Sequence, residues 1–457
     1  MNKRTNLDLT EGPVLRKLML FAIPLLLNSL TQTLYSTVDK IMVGQFVSTN
    51  AMAAVGASSP PLNLMVQLFT GFALGVNVTC ANLRGAKKDK ELAEASHTAV
   101  LMGLLVGVLI AAVGAPICRP LLQSMDTPTN ILDDASLYML IRLLGGPTWM
   151  MSTFMANVFY GHGNSRLPMV LNLGSGLVNV CLNALFIFAF GMGVEGVALA
   201  TVAAEAINTV VYFLVLYNPK GQYRLRLKEI KLHLHHVKRV LSVGVPAGIG
   251  NIAFSLSNVL LQSSVNSFGD SVVAGNSAAD SVNAYVNVFM SSLASAALSA
   301  TSQCYGAKKH KRIDEITNKA TLGIMALVAA GALLITLLRR PLLGLFVKKD
   351  VDGWQEVVEL GIPKLMILCW GYIIFSIPQV LAAVLKGIRA ATSATICNMG
   401  GVIVPRLLWI WFVIPHMHTP GMLYAIYPIS WSISAVLLVF TFFYSRKKRL
   451  VLSPVQP

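Results

Sequence analysis

Apolar runs of roughly 20 residues or more recur along the whole chain, parted by short polar connections. A run of that length crosses a bilayer as a helix, because the hydrocarbon core is about 30 Å thick and a helix rises about 1.5 Å per residue. Twelve spans are expected, near 17–45, 51–80, 94–116, 135–160, 167–190, 196–217, 240–268, 271–300, 317–338, 358–386, 393–415 and 421–444. The first is too long for a secretory leader and lacks a small-residue cleavage site, so it is expected to remain as a span. The pattern predicts an all-α polytopic membrane protein.

The spans fall into two sets of six. "RGAKK" at 84–88 answers "YGAKK" at 305–309, and "CRPLLQSM" at 118–125 answers "RRPLLGLF" at 339–346, both 221 residues apart. Pro24 answers Pro246 at 222, and "LNLG" at 171–174 answers "CNMG" at 397–400 at 226. An even number of spans per copy makes both copies face the same way, a parallel repeat about an axis along the membrane normal. The expected organisation is two pseudo-symmetric six-helix lobes, 1–217 and 240–445, joined by a basic connector at 218–239 and followed by a tail at 446–457.

Composition agrees: 12% of residues are charged, 55% are hydrophobic and the mean hydropathy is +0.65, whereas soluble domains are about 25% charged. The net charge of +16 needs no nucleic-acid partner, because the basic residues gather on alternate connections. These include "RGAKKDK" at 84–90, the connector, "KKHKR" at 308–312 and "RKKR" at 446–449. By the positive-inside rule both termini are expected in the cytoplasm, the chain being multi-pass in the cell membrane. The same charges are expected to meet anionic lipid heads. The six cysteines are scattered with no CxxC pair and read as small hydrophobes.

Against this background the segment "TQTLYSTVDKIMVGQF" at 31–46 stands out, because it keeps a carboxylate, Asp39, within a span. Asn28, Gln32, Tyr35 and Asp39 follow at steps of 4, 3 and 4, which places them on one helix face. An ionisable group near the centre of a span costs at least about 2.5–3.5 kcal/mol and usually faces a cavity or a partner. The second copy keeps the stripe as Asn251, Ser255, Asn258 and Gln262, with Gln262 where Asp39 stood. Polar groups of this kind also act as glue between helices, and that reading stands beside the functional one.

Oxygen-bearing partners for Asp39 are expected from nearby spans: Asn179 and Asn183, four apart on the fifth, and Thr201 on the sixth. A carboxylate, two amide oxygens and a hydroxyl suit a hard cation such as Na⁺. A proton on Asp39 is the alternative occupant of the same site. Glu205, four after Thr201, and Asp280 on the eighth span are candidates for lining the path of a cationic substrate, a local partner or a water-filled crevice being the alternative for each. The connector holds His233, His235 and His236. They form either a metal site or part of a basic amphipathic helix on the membrane surface. The second is favoured, because no Cys or carboxylate completes a ligand set. No HExxH, GxSxG or P-loop motif occurs, so the chain reads as neither an enzyme nor an ATPase, and no cofactor is expected beyond a coupling ion.

Taken together, "STVDKIMVG", "LRGAKK", "CYGAKK", "YGHGNSRLP" at 160–168 and "VNVCLNALFIFAFGMGVEGVALAT" at 178–201 resemble the multidrug and toxic compound extrusion (MATE) family of the MOP flippase superfamily. The resemblance runs from about Leu18 to about Tyr444. It implies a cation-coupled antiporter, driven by Na⁺ or H⁺, that exports amphipathic and often cationic compounds. In the branch with its cation site in the first lobe, the residues concerned match Asp39, Asn179, Asn183 and Thr201, and Gln32 and Tyr35 match cavity-lining positions. Asn183 stands where many relatives carry a second Asp, so a two-acid proton relay is in doubt. The branch with acids in the second lobe matches poorly at Phe254, Ser255 and Ser376. The expected working unit is a monomer with a small-molecule substrate. A flippase for a lipid-linked precursor is the alternative, and it calls for a large cationic cavity.

Overall fold

The computed structural model describes residues 6–217, 225–346, 353–417 and 419–451, with Lys40, Leu450 and Val451 described by backbone alone. Among them the chain forms α1 (Val14–Phe46), α2 (Thr49–Gly85), α3 (Asp89–Ser124), α4 (Thr129–Leu144), α5 (Gly146–Gly161), α6 (Arg166–Ala184) and α7 (Val194–Tyr217). There follow α8 (Leu234–Asn266), α9 (Asp270–Gly306), α10 (His310–Leu337), α11 (Arg339–Gly344), α12 (Trp354–Gly387), α13 (Ala391–Leu408) and α14 (Pro420–Arg446). In lipid the helix satisfies every backbone polar group within itself, which is why so apolar a chain takes this form.

Among the described residues ten helices, three of them extended by a turn of π-helix, are long and apolar enough to span a membrane. The α4–α5 pair and α9 complete the twelve. α4 and α5 share one span, parted at Gly145, because Pro147 in the first turn of α5 has no N–H to continue the ladder. α9 is long, but Asp270, Asp280 and its many Ser and Asn lower its hydropathy.

The repeat is visible in the backbone. Lys87 and Lys308, the fourth residues of the two GAKK-containing turns, both take the left-handed conformation at φ 56°. The turns close with matching bonds: Lys88 N–H donates to Leu83 O at 3.1 Å and Lys309 N–H to Cys304 O at 2.9 Å. Gly163 and Arg389, 226 apart, are likewise both left-handed, at φ 80° and 64°. A π turn then follows each fifth span, at Leu185–Ala189 and at Trp409–Val413.

Two compact units form: Met1–Asp8 with Ile23–Gly248, and Leu9–Ala22 with Ile249–Pro457. These bounds depart from the expected 217/240 division. α8 starts at Leu234 rather than near 240, and its first half belongs to the first unit. The reason is a close approach to α2. A Cβ on Gly71 would lie 2.2 Å from Gly248 N, and one on Gly75 would lie 2.2 Å from Val240 O. The beginning of α1, by contrast, counts with the second unit. There Arg312 Nε donates to Leu9 O at 3.1 Å, and Lys309 Nζ meets Glu11 Oε1 at 3.0 Å. In both α1 and α8 the division falls beside the paired prolines, Pro24 and Pro246.

Within the first unit α5 is central, packed by α2, α3 and α7, with Met150, Phe154, Met155, Val158 and Phe159 buried. Within the second unit α12 holds that place, against α9, α10 and α14. Of the connector, 218–224 lie outside the described residues, as do 452–457 of the tail. Before α8 the described part holds only one short 3₁₀ turn, Leu227–Glu229, and not the expected amphipathic helix.

Candidate ion and substrate cavity

A cavity of about 600 Å³ lies within the first unit. Asn28, Gln32, Tyr35 and Asp39, the stripe read from α1, all line it. Tyr35 is seated by α6: its hydroxyl donates to Leu173 O at 2.9 Å, and its ring fills the space beside Gly176. Asn28 is buried and accepts from Asn172 Nδ2 at 2.9 Å.

Asp39 is partly buried and accepts a 2.6 Å bond from Asn183 Nδ2. Asn183 also approaches Asn179 Oδ1 at 3.4 Å, and Asn179 Nδ2 donates to Thr201 Oγ1 at 3.3 Å. The four residues expected at the cation site thus form one chain of contacts across α1, α6 and α7. Asn179 and Thr201 line the cavity, while Asn183 sits fully buried behind them. Its Oδ1 has no hydrogen-bond partner among the described residues.

Glu205 lines the same cavity but is paired. Arg142 Nη1 on α4 lies 3.2 Å from Glu205 Oε2, each side chain 21% exposed. This is the local partner weighed for Glu205, and among the described residues it leaves Asp39 as the cavity carboxylate held by an amide alone. Sequence reasoning missed the neighbouring network, in which Asn208 Nδ2 and Tyr212 OH both donate to Asn172 Oδ1, at 2.9 and 3.2 Å. The signal was present: Asn172, Asn179 and Asn183 fall on one helical face, as do Thr201, Glu205 and Asn208.

Asp280, Asn258 and Gln262 do not belong to this cavity. All three lie in the second unit and are engaged there. Asp280 Oδ1 lies 2.5 Å from Lys364 Nζ, a lysine only 2% exposed. Asn276 links the pair, accepting from Lys364 at 2.6 Å and donating to Asp280 at 3.2 Å and to Gln262 Oε1 at 3.0 Å. Asn258 Oδ1 accepts from Arg406 Nη1 at 2.9 Å. Arg406 is buried, with Ser257 and Ser430 as its other polar partners and with the Phe254 and Tyr427 rings 5.3 and 4.9 Å from its guanidinium carbon. Lys364 stands 222 residues after Arg142, so each repeat carries on its fourth span a base, partly buried in the first repeat and fully buried in the second, that is paired with an acid.

A helical membrane protein with a polar cavity inside one six-helix lobe and a carboxylate in its wall has the build of a transporter. Comparison with known proteins gives the family. The MatE family model matches residues 24–185 and again 246–411, one match per repeat. The chain belongs to the MatE family of multi-pass membrane transporters. It is 28% identical to the probable multidrug resistance protein YoeA of Bacillus subtilis, over 98% of this chain and 97% of that one. It is 18% identical to the multidrug export protein MepA of Staphylococcus aureus over 87% of each. A solved MOP superfamily transporter from Pyrococcus furiosus superposes with a TM-score of 0.87 over 98% of each chain, at 20% identity. That likeness supports the twelve-helix, two-lobed fold.

Proposed function

We propose that this chain is a multidrug efflux antiporter. It exports amphipathic, cationic drugs or toxic metabolites across the cell membrane by alternating access, in exchange for Na⁺ or H⁺ bound at Asp39. Full-length similarity to multidrug resistance and export proteins supports the drug-efflux part. The observation that carries the coupling is the state of Asp39: a cavity-wall carboxylate bonded to Asn183, with the nearby base Arg142 taken by Glu205.

Such a carboxylate is a docking point for positive charge. The buried Asn183 supplies the adjustment. With Nδ2 toward Asp39 it stabilises the bare carboxylate. A half-turn of the amide brings Oδ1 to the same place, where it serves as a ligand for Na⁺ or accepts from a protonated Asp39. Asn179 and Thr201 supply the remaining oxygens. The ion drives export only through different affinities for the inward- and outward-open forms. The chain works as a monomer with both termini cytoplasmic, in line with the basic connections.

The flippase reading calls for a surplus of positive charge around a large cavity. In the first unit Arg142 is balanced by Glu205, and Asp39 leaves a net negative charge. In the second unit Lys364 is balanced by Asp280. Arg406, buried against Asn258, Ser257 and Ser430, leaves the second unit a positive charge, so it is the negative surplus of the first-unit cavity at Asp39 that favours a cationic substrate there.

The test is efflux of a fluorescent cation from proteoliposomes under separately imposed Na⁺ and pH gradients. Asp39→Asn is expected to abolish gradient-driven efflux while insertion and folding persist. Wild-type rates in that variant would remove Asp39 from the mechanism.

A further inference from the structure

The histidines at the start of α8 acquire in the fold a carboxylate from a distant helix. One ligand atom each of Glu94, His235 and His236 lie within 4.8 Å of one another. Glu94 comes from the first turns of α3, about 140 residues away in the chain. All three residues belong to the first unit.

The meeting is built. Glu94, His97 and Thr98 share one face of α3 at steps of 3 and 1, and that face receives the connector. His97 Nε2 accepts from Arg226 N–H at 2.9 Å, and its Nδ1 lies 2.6 Å from Ala93 O, so both of its ring nitrogens are used. Thr98 Oγ1 lies 3.3 Å from Lys231 O and 3.3 Å from His233 N. The chain then turns, with His236 N–H donating to His233 O at 2.8 Å, and enters α8 with His235 and His236 beside Glu94.

His236 is the decisive member. It is fully buried, yet neither Nδ1 nor Nε2 has a hydrogen-bond partner among the described residues. A neutral imidazole carries one donor and one acceptor, and leaving both unpaired in the interior is costly. Its Nε2 stands 3.6 Å from Glu94 Oε2, too long for a hydrogen bond. That separation is close to the edge of a tetrahedral site, about 3.4 Å for metal–ligand distances near 2.1 Å. His235 is exposed and Glu94 partly so, and small side-chain rotations draw them in around the fixed His236.

We propose that Glu94, His235 and His236 form a binding site for a divalent transition-metal ion of the Zn²⁺ type, separate from the coupling-ion site at Asp39. Two imidazoles and one carboxylate select Zn²⁺, Co²⁺ or Ni²⁺ over Mg²⁺ or Ca²⁺, which prefer all-oxygen shells. Three protein ligands leave a fourth position for water or for His233, whose ring centroid lies 6.1 Å from that of His236. The basic neighbours do not oppose the ion unscreened, since Glu91 engages Arg239 at 3.0 Å and Lys88 at 2.8 Å. A bound ion fastens the start of α8 to α3, at the point where the connector becomes helix.

The test uses the full-length, detergent-purified protein without a polyhistidine tag, and Co²⁺ as the probe. One Co²⁺ per chain is expected, with the visible ligand-field bands of a low-coordinate nitrogen site, displaced by one equivalent of Zn²⁺. Glu94→Gln and His235→Ala are each expected to weaken binding more than about tenfold. The metal-free melting temperature of His235→Ala should stay at the wild-type value, because that side chain is exposed. The absence of bound Co²⁺ and Zn²⁺ after equilibrium dialysis would overturn the site. So would binding that survives both substitutions. No transport is measured, so failure here leaves the Asp39 reading standing, and failure of efflux coupling leaves this site standing.

Discussion

The pairing of Arg142 with Glu205 is what keeps Asp39 open to an incoming cation, and Glu205→Gln tests this directly. Removing one partner of a buried pair typically costs about 3–5 kcal/mol, because the other charge is left uncompensated. Here each side chain is 21% exposed, so water relieves part of that and about 2–3 kcal/mol is the better figure. The released Arg142 shares its cavity with one other carboxylate, Asp39. If Arg142 turns to Asp39 and recovers about 2 kcal/mol, the coupling cation must displace it, and its apparent affinity falls about thirtyfold. The assay is cation-dependent efflux from proteoliposomes, titrated with Na⁺ and with pH, alongside thermal melting in detergent to monitor folding. The double variant Arg142→Gln/Glu205→Gln removes the competitor as well and should bring the half-saturating cation concentration back toward wild type. A single variant with unchanged cation dependence, or a double variant as impaired as the single, would refute the charge-balance argument.

Three further outcomes follow from the packing. Gly176→Ala places a Cβ 1.6 Å from Tyr35 Cε2, so the ring must leave and its bond to Leu173 O is lost. A drop of about 1–3 kcal/mol in stability is expected, read from the melting curve, and Tyr35→Ala in the same chain should relieve most of it. In the second unit Asp280→Asn strands Lys364, which is 2% exposed, whereas Lys364→Met leaves an acid that is 49% exposed and free to hydrate. Melting should therefore show the first variant destabilised by about 3–5 kcal/mol and the second much less, and equal losses would contradict this account. Gly248→Ala drives a Cβ to 2.3 Å from Leu68 O, so α2 and α8 must separate. Reduced thermal stability, with no change in the cation dependence of any remaining efflux, is the expected result.

Hydrophobic length, the 221–226 residue repeat and the gathering of basic residues on alternate connections were legible in the sequence, because each is a property of one dimension. So was the Asp39 stripe, since helical periodicity alone puts Asn28, Gln32, Tyr35 and Asp39 on one face. Periodicity says which residues share a face, but not which helix lies opposite. That is why a local partner stood only as an alternative for Asp280 and Glu205 until Lys364 and Arg142 were found against them. Gln262 and Asn258 likewise proved to be engaged with Asn276 and Arg406. The histidine cluster shows the same limit most plainly. A ligand set was judged incomplete from the local stretch, and α3 brings Glu94 to it from far away in the chain. Lipid dictates that the chain be helices of a given length, and the sequence carries that instruction residue by residue. Which charges neutralise one another is settled only when side chains from distant helices meet in a low-dielectric interior, where an unpaired charge is too costly to leave without a partner or an ion.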